Sequence, residues 1–164
     1  MNYLRQLDIK DAPAMQSCLN DKENTQYMLV GEKTFSLQDC EDFVKNSSSD
    51  QNNVHLAIVD ENNEWVGTIS LKHIDREVGQ AEYAIITAKE VHGKGYAYKA
   101  TMELLDYAFS SLKLQRVYLN VTSDNLRAIN FYKRCGFVHE GTFRKAILIK
   151  GVLKDLEWFS VIKE

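Results

Sequence analysis

The segment Val91-His92-Gly93-Lys94-Gly95-Tyr96-Ala97 constrains this chain more than any other. It joins a β-prone run at 81–87 (AEYAIIT) to a stretch with apolar residues at Ala97, Leu104, Leu105, Ala108 and Leu112. That spacing predicts an amphipathic helix over 96–112. Two glycines at a strand-to-helix junction let the backbone turn sharply and leave main-chain N–H groups bare. With the positive end of the helix dipole behind them, those donors suit an anion, and pyrophosphate first among anions. Two familiar phosphate loops are excluded. A P-loop needs Lys and then Ser or Thr after its last glycine, whereas Tyr96 follows Gly95; the dinucleotide fingerprint needs glycine where Tyr98 stands. A tight turn without a ligand fits the same residues, so this segment alone does not decide.

A second segment adds weight. Residues 117–121 (VYLNV) alternate like a strand, and Thr122-Ser123-Asp124-Asn125 then offers several helix-capping oxygens. In the helix that follows, Ala128, Phe131, Tyr132 and Cys135 share one face, and Gly136 is placed to end it. Tyr132 therefore sits inward on the last turn of a short helix, where a phenol is either core or a proton donor.

Taken together, H-G-K-G-Y-A at 92–97 and N-x-x-A-x-x-F-Y-x-x-x-G-F at 125–137 resemble the GNAT superfamily of acyl-CoA N-acyltransferases. The family's loop pattern Q/R-x-x-G-x-G/A maps onto His92, Gly95 and Ala97. The tail, Glu140-Gly141-x-x-Arg144 and then Gly151-x-x-x-Asp155, is similar to the branch holding ribosomal-protein N-terminal and spermidine acetyltransferases. The likeness runs from about Tyr3 to Ile162, which implies a single acetyltransferase domain over 1–164. Its fold would be α/β (α+β), a mixed central sheet of about seven strands with about four helices, its central strands splayed to hold CoA. The activity implied is acetyl transfer from acetyl-CoA, a co-substrate, to a primary amine.

The resemblance also implies roles. Tyr132 matches the family's acid, the group that meets the departing thiolate. Ile85 and Ile86 lie on the strand edge expected to hold the pantetheine arm, and Gly93, Lys94, Gly95, Tyr96 and Ala97 would wrap the pyrophosphate. Asn125 matches an asparagine that contacts CoA, while Arg127, Lys133 and Arg134 stand where a charge reaches the 3′-phosphate or merely faces water. His92 departs from the family's Gln or Arg, keeping a hydrogen-bond donor and losing a fixed charge.

The base is argued from chemistry. An alkyl ammonium with a pKa near 10.4 is neutral only about once in a few thousand molecules at pH 7, so its proton must be removed. Glu82 shares a strand face with Ala84 and Ile86, and an apolar flank would raise its pKa toward that task. A half-exposed strand carboxylate fits the same position. His73 is a second choice.

Composition bounds the rest. At 164 residues with 45% hydrophobic content the chain is long enough for a continuous core, and a net charge of −3 without a basic run argues against nucleic acid. No apolar run of membrane-spanning length occurs, and the charged N-terminus is unlike a signal peptide. Three cysteines without ligand spacing read as reduced thiols of a cytoplasmic protein that holds no metal. Strands are expected at 3–6, 54–60, 65–74, 78–88, 117–121, 141–149 and 153–162, and helices at 37–45 and from about 12. Family likeness places the acceptor cleft between 23–35 and 143–153, and implies a homodimer through the closing strands. Glu23, Glu32, Glu41 and Asp42 make that half acidic, which suits a polyamine; an amino sugar, an amino acid or a protein N-terminus stays open.

Overall fold

The structure, a computed structural model, describes residues 2–29 and 33–164. Strand β1 (Leu4–Gln6) leads through a short 3₁₀ turn to helix α1 (Ala12–Asn20), whose Pro13 sits in the first turn, where no N–H is missed. Helix α2 (Leu37–Ser47) opens on a capping box: Ser36 accepts from the Asp39 N–H, and Asp39 reaches back to the Ser36 N–H. Then come β2 (Val54–Val59), β3 (Trp65–Asp75), β4 (Gln80–Thr87), α3 (Tyr96–Asp106), β5 (Arg116–Thr122), α4 (Leu126–Arg134), β6 (Val138–Ile149) and β7 (Val152–Ile162).

All seven strands form one mixed sheet in the order β1-β2-β3-β4-β5-β7-β6. Strand residues alternate between its two faces. On one face Ile69, Leu71, Ala81, Tyr83, Val117, Leu119 and Phe159 meet Ala100, Leu104 and Ala108 of the α3 segment and Ile129 of α4. On the other, Ala57, Val59 and Trp65 meet Met15 and Cys18 of α1 and Cys40 and Val44 of α2.

The seam between β4 and β5 is incomplete. They are parallel and registered over three pairs only, Gln80 with Arg116, Ala81 with Val117 and Glu82 with Tyr118. Beyond Glu82 each strand runs on without the other: β4 stays paired to β3 as far as Thr87, and β5 to β7 as far as Thr122. The expected splay is thus present, as are, among the described residues, seven strands and four α-helices.

Element edges differ from the sequence expectation in three places. β4 starts at Gln80 because Val78 and Gly79 are still in a turn, with Gly79 at φ 81° and its carbonyl accepting from Gln115 and Arg116. The helix read as 96–112 is α-helical to Asp106 and continues as a π-helical turn over Tyr107–Ser111. β6 begins at Val138, its pairing interrupted by bulges where Glu140 and residues 144–146 lack partners on β7. Glu32 lies outside the described residues.

Candidate active site

The loop before α3 is an uncapped helix start. Gly95 is the N-cap residue, in the left-handed region at φ 89°, and no side chain caps the helix. The first-turn N–H groups of a helix have no internal partners, so those of Tyr96 and Ala97 are left for a ligand. Gly93 is also left-handed, at φ 79°. A Cβ at either glycine would meet nothing within 4 Å, so their need is conformational. One expected amide of the cradle and one side chain beside it are otherwise engaged. The Lys94 N–H donates to the Val91 carbonyl at 3.1 Å. The Tyr96 hydroxyl donates to the Glu61 carboxylate at 2.6 Å, which pushes its pKa up to about 12 and pins the helix start to the β2–β3 turn.

His92 is not a free phosphate donor. Its Nδ1 lies 2.9 Å from Nη1 of Arg127, in the first turn of α4. A guanidinium only donates, so Nδ1 accepts and the ring is neutral with its proton on Nε2. Burial, then the Arg127 charge, lower the His92 pKa, which keeps it neutral. Asn125 caps α4 with Oδ1, accepting from the Ala128 N–H at 3.3 Å, which leaves its amide NH₂ for any ligand. Lys133 and Arg134 are exposed on the last turn, with the Arg134 guanidinium over the Phe131 ring.

Tyr132 is held from below and behind. The chain reverses at Gly136 (φ 95°), where the Phe137 N–H donates to the Tyr132 carbonyl at 3.0 Å. This six-to-one closure brings the Phe137 ring against the Tyr132 ring, 6.0 Å between centroids. Tyr83, on β4, meets Tyr132 edge-on at 5.8 Å and is itself fixed by a 2.8 Å hydrogen bond to Thr101. Burial raises the Tyr132 pKa to about 12. The phenol therefore keeps its proton throughout the working range, and no described residue hydrogen-bonds its hydroxyl. The inward face also holds Ile129, more buried than Ala128 or Phe131 and not among the residues expected there.

Glu82 stands on the opposite face of the sheet, at the last paired position of the seam. Its surroundings are polar, not the apolar flank expected from Ala84 and Ile86. Lys72, its partner across β3, lies 3.6 Å away, His73 Nε2 also 3.6 Å, and Asn120 Nδ2 donates at 3.3 Å. His73 reaches it because a bulge gives it φ 52°. Tyr118, Asn120 and Trp158 share this face, and Trp158 stacks on Tyr118 and touches Phe143. Ile85 and Ile86 are half-buried on opposite faces of β4, beside the unpaired seam. Asn24 of the segment after α1 donates to the Thr87 carbonyl at 3.0 Å and so closes the end of β4.

Asn120, Lys72, Tyr118 and Asn24 escaped the sequence reading. The alternation of VYLNV offered a signal for Tyr118 and Asn120, which lie on one face; the others depend on cross-strand register.

A family model described as an acetyltransferase (GNAT) domain matches residues 3–138. The chain belongs to the GNAT acetyltransferase family. It is 32% identical over 164 residues to the "uncharacterized N-acetyltransferase p20" of Bacillus licheniformis, covering 98% of this chain and 92% of that one. It is 29% identical over 145 residues to the spermidine N(1)-acetyltransferase of Vibrio cholerae, covering 88% and 84%. Among solved structures, the Vibrio cholerae spermidine N-acetyltransferase in complex with CoA and spermine superposes with a TM-score of 0.88 at 28% identity, covering 97% and 94%. This GNAT member is an N-acetyltransferase with acetyl-CoA as co-substrate. The open seam and the uncapped start of α3 fit that molecule: one offers free strand edges to the amides of its arm, the other N–H donors to its phosphates. No helix among the described residues is long and apolar enough to cross a membrane.

Proposed function

We propose that this enzyme acetylates a primary amine of a small molecule, a polyamine being the first class to test, by direct attack of the amine on the thioester. The observation that carries the reading is that Tyr132 and Glu82 flank the open seam from opposite faces of the sheet. A thioester lying in the seam would receive the amine from the Glu82 side and release its thiolate toward Tyr132. The names of the relatives, and a carboxylate beside aromatic Tyr118 and Trp158 on the acceptor side, support a cationic acceptor.

Glu82 takes the ammonium proton, directly or through one water, with Asn120 and His73 fixing its carboxylate. A main-chain N–H of the unpaired part of β4 meets the oxyanion. A phenol near 12 is a weaker acid than a thiol near 8.5. Tyr132 therefore first steadies the departing thiolate by a hydrogen bond.

The acetyltransferase domain in this proposal spans 1–164. The enzyme works in the cytoplasm, a reading supported by three buried free thiols. It pairs through its closing strands, a reading supported by exposed Phe143, Leu148, Val152 and Leu153 on β6 and β7. The test is thiol release from acetyl-CoA against spermidine, spermine, amino acids, amino sugars, aminoglycosides and peptides with free N-termini. Fast release with a small amine supports the proposal. Release with peptides alone makes it a protein N-terminal acetyltransferase, and CoA binding without any turnover makes it a non-catalytic acyl-CoA-binding protein.

A further inference from the structure

Arg127 is a cation without a carboxylate. Among the described residues no Asp or Glu is ion-paired to it, and its contact is the 2.9 Å hydrogen bond to His92 Nδ1. This matters electrostatically. A guanidinium held by a carboxylate is neutralised by its holder; one held by a neutral imidazole keeps its whole charge for a third group. The holder is also well placed. His92 stands immediately before Gly93, and its own N–H donates to the Lys89 carbonyl at 3.2 Å, so the ring springs from an ordered turn. Arg127 is thereby brought from α4 to the mouth of the loop, instead of extending from its exposed helix face.

We infer that Arg127, positioned by His92, is the side-chain cation for the pyrophosphate of the co-substrate, not for its 3′-phosphate. The inference rests on the acetyl-CoA reading above. Arg127 supplies the fixed charge that a histidine at position 92 does not, and His92 acts through Arg127 as a positioning residue.

The experiment measures binding of CoA and of 3′-dephospho-CoA by calorimetry, with acetyl-CoA KM and kcat alongside. Arg127→Gln is expected to weaken both ligands equally, about tenfold or more, and to act on KM with little change in kcat. His92→Phe should lose a comparable factor, and the double variant no more than the worse single one. His92→Gln, whose amide oxygen can accept from Arg127, should restore most of the affinity. A penalty confined to CoA would assign Arg127 to the 3′-phosphate and overturn the inference, as would additive losses, no loss, or failure of Gln to rescue. Wild-type protein that binds neither ligand would instead refute the acetyl-CoA reading itself.

Discussion

The two edges of β5 face different fates. Toward β7 it is registered over seven pairs, Arg116 with Ile162 through Thr122 with Leu156; toward β4, over three. The closed seam is reinforced by side chains. Arg116, at the start of β5, reaches across β7 to Glu140 of β6 at 2.6 Å, and Glu157 of β7 accepts from Ser123, just past the end of β5, at 2.9 Å. Among the described residues the open seam has one such link, Asn120 to Glu82, placed where pairing stops. A strand can thus hold a sheet together on one side and keep its main-chain groups free on the other. The free groups cost nothing while they face water, and become binding groups when an amide-bearing arm displaces it.

The largest test removes the donor on one side of that opening. Tyr132→Phe should slow turnover about 10²-fold or more, with CoA affinity nearly unchanged in calorimetry. An unaltered kcat would show that the opening delivers the thiolate somewhere else. On the opposite face, Glu82→Gln should lower kcat/KM about tenfold to 10²-fold and flatten the acid limb of the pH–rate profile, because an amide cannot accept the ammonium proton. A profile unchanged in shape would move the base elsewhere, with His73 the next candidate. A smaller effect is expected at the phosphate end. Gly95→Val forces a β-branched residue into φ near 89°, which should raise the acetyl-CoA KM about tenfold and cost about 1–3 kcal/mol of stability, read by denaturant titration.

The smallest effect concerns Glu157, which ties β7 to β6 and to the end of β5. Thr142 and then His139 hold the Glu157 carboxyl below its ordinary pKa. A carboxylate depressed in the fold contributes stability that is complete above its unfolded value, near 4.3, and is lost as pH falls through its folded value. Glu157→Gln should therefore melt lower than wild type at pH 7, and the difference should shrink as pH falls below the unfolded value and through the folded one. Equal melting of variant and wild type at pH 7 would mean that main-chain pairing alone holds β7 to its neighbours. Amide hydrogen exchange sharpens the comparison. Added CoA should protect those amides of 83–87 and 119–122 that point into the open seam, and hardly change those already bonded to β3 or β7.

Much of the fold was legible because its signals are local. The Gly93–Ala97 turn, the 117–121 strand and the Gly136 stop were read from adjacent residues, and each element stands within a few positions of its expected place. Tyr132 was legible for the same reason: helical spacing alone put it on the inward face. The errors lie where a distant partner decides. The apolar flank expected for Glu82 failed because alternation along β4 says nothing of what β3 and β5 bring alongside, and they bring Lys72, His73 and Asn120. His92 reads from sequence as a direct hydrogen-bond donor to phosphate, because the Arg127 that occupies its Nδ1 is thirty-five positions away. The 96–112 helix was read as uniform because periodicity does not register the switch from α to π winding at Tyr107.

By itself, then, the sequence determined the order of elements, the bare N–H groups before α3 and the inward phenol on α4. These follow from glycine's freedom, capping and helical period, all short-range properties of the chain. Only the tertiary structure decided that β4 and β5 part after Glu82, that acid and base candidates stand on opposite faces of that opening, and that Arg127 is delivered to the loop by His92. Each depends on strand register or on contact between segments far apart in sequence, which are fixed when the sheet and its helices close on one another.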